Sequence, residues 1–179
     1  IISPTPAHLI AAELQDENLL GYTRDKKGIY LFSYDEAPNI LREITRLREL
    51  TFRKVGEGTG KERDYDKFDH HYKHILLWDD KHKEIVGSYR LGLVADILAE
   101  YGKEGLITSR KFDLKPGFDV YLPSSLEVGR SFVQEQYWGT SALDYLWQGI
   151  GAFLRRFPHI RYLWGTVSMS DAMPKPGRD

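Results

Sequence analysis

Cysteine is absent from the 179 residues, which excludes disulfides, a thiolate nucleophile and cysteine-based metal sites. The absence fits a reducing cytoplasm, the expected location. Methionine is scarce, at two. No run of about 18 apolar residues exists to cross a bilayer. Charge of one sign is also lacking: the net charge is -1, with a pI near 6.7, which argues against broad nucleic-acid binding. The opening Ile1-Ile2-Ser3-Pro4 has neither a basic nor an apolar leader segment and does not read as a signal peptide. With no initiator Met, and with Pro174–Asp179 ending without a closing element, the chain reads as cut from a longer protein.

What is present describes a globular domain. Hydrophobic residues make up 41% and charged residues 28%, enough to build and solubilise one core. Helical spacing of apolar residues predicts an amphipathic helix over residues 7–20 within an N-terminal helical extension, residues 1–27. The main domain, 28–179, opens with a strand at 28–34. Asp35-Glu36-Ala37-Pro38 then starts a helix that runs to Lys54 and buries Ile40, Leu41, Ile44, Leu47 and Leu50. Residues 73–78 and 84–91 form a hairpin around a polar turn. A short helix near 93–101, a strand at 125–133, a helix at 141–157 and a strand at 161–168 complete an α/β chain with a mixed sheet.

Polar residues of chemical interest fall in four segments: Arg48-x-x-x-Phe52, Asp64-x-Asp66-x-x-Asp69, Gly87-Ser88-Tyr89-Arg90 and Glu127-Val128-Gly129-Arg130. Charges inside an apolar strand must be paired or must face a water-filled cleft. On a regular strand residues 127 and 130 point to opposite faces, unless Gly129 marks a bulge that re-aims Arg130. An internal ion-pair network and a functional site both remain open on these residues. His70 and His74 would share a helical face, but Ile75-Leu76-Leu77-Trp78 favours a strand and no full ligand set accompanies them, so no metal is expected. His74-x-x-x-x-Asp79 would place its two side chains on opposite faces of a strand, which defeats a dyad. Ser124, Ser125 and Ser131 have no partner base.

Taken in order, Arg48-x-x-x-Phe52, Asp66-x-x-Asp69, Gly87-Ser88-x-Arg90, Phe112 and Glu127-x-x-Arg130 resemble the motif set of the acyl-homoserine-lactone synthases, a GNAT-like group. The stretches 46–53, 56–60, 127–133 and 137–151 are closer in wording to the ornithine-lipid N-acyltransferases, often labelled putative hemolysins. The resemblance covers roughly residues 28–170. It implies a GNAT fold with a C-terminal truncation, and an acyl group moved from acyl carrier protein or CoA to the amine of a small amino acid such as ornithine or glycine. It further implies no tightly bound cofactor, a fused or partner glycerolipid-type acyltransferase, and peripheral contact with the inner face of the membrane. By the same resemblance Glu127 accepts a proton from the amine, Asp66 and Asp69 orient the acceptor, and Arg48, Arg90 and Arg130 hold those carboxylates. Phe132 and Val133 would lie along the thioester arm, and Gln136, Gly139, Thr140 and Ser141 would form the phosphate loop. The family's loop carries Gly or Ala where Ser141 stands, and a plain Thr140/Ser141 helix cap is the competing reading. Lys54, Lys61 and Arg63, with Arg155, Arg156 and Arg161, are either solvated surface charge or a docking face for an acidic carrier. Two other functions fit the same residues: lactone-forming signal synthesis, and a non-catalytic domain that binds an acyl carrier.

Overall fold

The computed structural model describes residues 1–168; the terminal Pro174–Asp179 stretch lies outside the described residues. Six strands form one sheet in sequence order: β1 (Leu19–Tyr22), β2 (Gly28–Phe32), β3 (Lys73–Asp79), β4 (Glu84–Leu93), β5 (Ser125–Val133) and β6 (Tyr162–Trp164). Neighbours are antiparallel except β5 and β6, which run parallel, so the sheet is mixed as expected.

Both faces of the sheet are covered, which explains why β3 is apolar at consecutive positions. Ile75 and Leu77 pack beneath α4 (Ala142–Arg156) with Leu146, Ile150 and Phe153. Leu76 and Trp78 pack on the opposite face beneath α2 (Pro38–Lys54) with Ile40, Ile44 and Leu47. The apolar stripe of α2 is the expected one, with Leu50 only partly buried. Pro38 opens α2 in its first turn, where a missing N–H costs nothing. The Glu13 carboxylate caps that turn, accepting from Asn39 N at 3.0 Å and Ile40 N at 2.8 Å. A third cluster, at the end of the sheet, joins α3 (Val94–Tyr101) to Phe68, Tyr72, Leu106 and Leu122.

The N-terminal segment differs from the expected helix over 7–20. Helix α1 covers only Ala7–Ala12, a 3₁₀ turn follows at Asp16–Asn18, and Leu19–Tyr22 is a strand on β2. The apolar pair Leu19-Leu20 satisfied the helical period, but pairing with the edge of β2 satisfies backbone groups that a free helix end would leave open.

Candidate functional site

The β5 strand is irregular at two places, and both create the site. The first is a bulge. Ser88 pairs with Phe132 and Arg90 with Gly129, so Tyr89 alone faces both Arg130 and Ser131. Arg130 adopts φ 50°, a left-handed conformation that costs a non-glycine residue roughly 1 kcal/mol. The extra residue restores Arg130 to the face that carries Glu127. Its guanidinium carbon lies 5.6 Å from the Phe52 ring on α2 and its Nη1 lies 3.3 Å from Asp64.

The second irregularity is a fork. Pairing between β5 and β6 runs from Ser125/Tyr162 to Glu127/Trp164 and stops, while β5 continues to Val133. A cleft of about 510 Å³ occupies the opening, with residues 128–131 on one wall and 163–168 on the other. Tyr89 and Trp147 line it from the α4 side, and Phe52, Tyr72, Arg90 and Glu127 from the α2 side. The cleft therefore passes between the strands from one face of the sheet to the other.

Glu127 is 3% exposed at the fork. Its carboxylate is fully engaged: Oε1 accepts from Thr108 N at 2.7 Å and Thr108 Oγ1 at 2.5 Å, and Oε2 accepts from Ile107 N at 3.2 Å and from the Tyr72 hydroxyl. These donors fill the roughly four lone-pair positions of a carboxylate. Burial, and then the charge of Glu127, push the Tyr72 phenol well above its ordinary range, so it stays a protonated donor.

Behind the cleft the remaining candidates form an alternating chain of charges. Arg130 meets Asp64, and Asp64 accepts from Arg48 Nε at 3.1 Å. Arg48 also donates to both oxygens of Asp69, at 3.1 and 3.0 Å. Arg90 Nη1 bridges Asp69 at 2.8 Å and Asp66 at 2.9 Å. Three guanidinium and three carboxylate groups cancel one another, which makes burial of Arg48, Arg90 and Asp69 tolerable. The Asp66-x-x-Asp69 spacing has a local cause: Asp66 caps the 3₁₀ turn Lys67–His70, accepting from Phe68 N, while Asp69 accepts from Asp66 N. Burial alone would raise the Asp69 carboxyl, but the guanidiniums of Arg48 and Arg90 hold it well below the usual carboxylate range. His74 is buried against this cluster and donates from Nε2 to the Asp69 carbonyl at 3.2 Å, leaving Nδ1 without a partner among the described residues. Burial lowers its pKa to about 4, so the ring is neutral near pH 7. Asp79 instead bonds His82 Nδ1 at 3.0 Å and makes no hydrogen bond or ion pair with His74 among the described residues.

Of the twelve residues singled out from the sequence, Glu127, Arg90 and Arg130 line the cleft; Arg48, Asp66 and Asp69 stand behind it. Phe132 is buried against α2, Val133 accepts from the Trp138 indole at 2.8 Å, and Gln136 donates to Glu84. Gly139 (φ 76°), Thr140 and Ser141 lead into α4, where Ala142 N donates to Thr140 Oγ1 at 3.2 Å and Ser141 makes no side-chain cap. None of these last six lines the cleft. Tyr72, Thr108 and Trp147 were missed: their roles arise from contacts distant in sequence, and no local pattern marks them.

A sheet forked between two parallel strands, one of them bulged, defines a GNAT-type domain. A profile of the acetyltransferase (GNAT) domain matches residues 47–148, more than half of the chain, and the chain belongs to this family. It is 39% identical over 192 aligned residues to a glycine N(alpha)-acyltransferase of Bacteroides thetaiotaomicron, covering 100% of this chain and 57% of that protein. An L-ornithine N(alpha)-acyltransferase of Brucella abortus is 30% identical over 148 residues, 73% of this chain and 50% of its own length. The chain thus spans about half the length of the curated relatives it matches. Among solved structures, the CoA-dependent acyl-homoserine lactone synthase BjaI, with SAM and isopentyl-CoA, aligns at TM-score 0.55 and 17% identity, covering 78% of this chain and 65% of its own. That likeness is one of fold.

Proposed function

We propose that the domain transfers a fatty acyl group from a carrier thioester to the amine of a small amino acid, glycine or ornithine. One observation carries the reading: buried Glu127, bonded to the Tyr72 hydroxyl, sits where the sheet forks, beside a cleft open to both faces. A two-faced cleft suits a two-substrate reaction. The thioester arm lies between the strands on the α4 side, where the edge of β5 beyond Glu127 has lost its β6 partner. Its phosphate rests on the first-turn N–H groups of α4, near Gly139 to Ser141. The amino acid enters from the α2 side.

An ammonium has no lone pair, so it must lose a proton before it attacks. That first proton is released to water; as the neutral amine attacks, the phenol oxygen takes a second proton from its nitrogen and passes its own to Oε2 of Glu127, whose lone pairs are all occupied. The proton then returns along the same route to the departing sulfur, giving an amide and a free thiol. Arg48, Arg90, Asp66 and Asp69 keep the α2 side of the cleft rigid. The donor is acyl carrier protein or CoA, and the product is an N-acyl amino acid for membrane aminolipid synthesis. A glycerolipid-type acyltransferase, fused or separate, completes that lipid at the inner face of the membrane. No helix among the described residues is long and apolar enough to cross it.

The test is mass spectrometry of products after the chain is supplied with acyl carrier protein or acyl-CoA and with glycine or ornithine. N-acyl amino acid that forms with the native chain and fails with Glu127→Gln supports the reading. Full activity in Glu127→Gln removes the relay.

A further inference from the structure

Two cations flank an open space on β5 that the proton relay does not use. Gly129 pairs directly with Arg90 across the β4–β5 ladder, and Arg130 follows it in the bulge. A side chain at Gly129 would meet no atom within 4 Å outside its chain neighbours, so the strand leaves open space there. Arg90 is 1% exposed and its Nη1 is taken up by Asp66 and Asp69, so its charge acts on that space from behind. Arg130 is only partly committed. Its one ion pair, to Asp64 at 3.3 Å, leaves most of its five N–H donors over, and its side chain is 31% exposed to the cleft.

We infer that the space above Gly129, beside the Arg130 guanidinium, is a subsite for the carboxylate of the acceptor amino acid. Planar guanidinium groups match carboxylates in geometry as well as in charge. Gly129 lies two residues beyond Glu127 on the same face, about 7 Å along the strand. That span accommodates an α-amino acid with its carboxylate on Arg130 and its amine at the Tyr72 hydroxyl. The left-handed backbone of Arg130 then has a purpose, since a regular strand would turn this side chain to the α4 face. The substrate class follows: α-amino acids are acceptors, and amines without the carboxylate are not. This inference rests on the acyl-transfer reading for the position of the amine, but its test does not need turnover.

The experiment measures binding of glycine and of glycinamide to the chain by isothermal titration. Glycinamide keeps the amine and replaces the carboxylate with a neutral amide. Glycine is expected to bind roughly 10- to 100-fold more tightly, the range of a charge-assisted pair. Arg130→Gln loses that preference, with glycinamide binding unchanged, and Arg130→Lys recovers part of it. Gly129→Leu, which fills the gap without touching the arginines' own partners, abolishes glycine binding while circular dichroism shows a folded chain. Equal affinity for the two ligands in the native chain, or an undiminished preference in Arg130→Gln, overturns the subsite. A chain that prefers glycine yet forms no amide from a supplied acyl thioester refutes the transfer reading and leaves the subsite standing. Amide formation with glycine and glycinamide at equal efficiency does the opposite.

Discussion

The Tyr72 hydroxyl donates to Glu127 Oε2 at the point where β5 leaves β6. Tyr72 precedes β3 and Glu127 lies in β5, so the bond ties the 3₁₀ segment that carries Asp66 and Asp69 to the forked strand. The phenol oxygen also accepts from Ile107 N at 3.2 Å, which leaves it one lone pair while Glu127 has none over.

Replacing Tyr72 with Phe separates the phenol's two roles. The ring keeps its packing against Phe68, at 6.2 Å between centroids, so the fold survives. On the proposed relay, its loss should cut kcat for N-acylation by about 10²- to 10⁴-fold with the KM values little changed. Steady-state kinetics with both substrates varied makes the check. A Tyr72→Phe chain with native kcat would mean that the proton leaves by another path.

The charge network makes a separate prediction about stability. Asp69 holds Arg48 and Arg90 at once, and all three are at most 1% exposed. Asp69→Asn keeps the shape and removes the charge, leaving two buried guanidiniums with one less counter-ion. Urea unfolding should show a loss of about 3–5 kcal/mol, as for other broken buried pairs. Because the folded carboxyl lies below its unfolded value, its contribution is present above the ordinary carboxylate pKa. Acid removes it progressively as the pH falls from that ordinary value through the lower, folded one.

His74 gives the same cluster a second pH dependence, at milder acidity. Its pKa falls from 6.5 to about 4 on folding, because burial penalises the imidazolium and Arg48 and Arg90 repel it. Between those values the unfolded chain binds a proton that the folded chain refuses, so stability rises with pH across this window. The contribution is complete above pH 6.5 and is lost as the pH drops toward 4, amounting to about 3 kcal/mol. Urea titrations of the native chain and of His74→Gln at pH 4.5 and 7 test this. The variant should lose markedly less stability over the interval, and parallel curves would show that His74 does not titrate in it.

Much of this architecture could be read from residue patterns because its causes are local. The α2 stripe from Ile40 to Leu47, the β3–β4 hairpin and the bulge at Gly129-Arg130 follow from periodicity, turn chemistry and a glycine inside a charged strand. Leu19-Leu20 misled because four residues can satisfy a helical period as well as a strand, and only β2 decides between them. Asp66-x-x-Asp69 was visible as a motif, whereas its partner Arg48 is 21 residues from Asp69 and nothing in the spacing reveals the bond. Tyr72 and Thr108 were hidden for the same reason: Glu127 selects them from 55 and 19 residues away.

The fork itself is set by a glycine. A Cβ at Gly165 would lie 2.0 Å from the Val128 carbonyl oxygen, a backbone atom that cannot swing aside. Gly165 follows the last β5–β6 pair, so this close approach fixes the depth at which the two strands separate. Gly165→Ala must push β6 outward and loosen the pairing of Trp164 with Glu127. The expected cost is about 1–3 kcal/mol, with a fall in N-acylation from a widened cleft. Gly129→Ala is the matched control. It adds the same methyl group to the same cleft where no atom lies within 4 Å, so its stability should stay within about 0.5 kcal/mol of native or rise slightly. Urea unfolding of the two variants side by side decides the matter. If Gly165→Ala is as stable as Gly129→Ala, close backbone approach at 165 does not hold the fork.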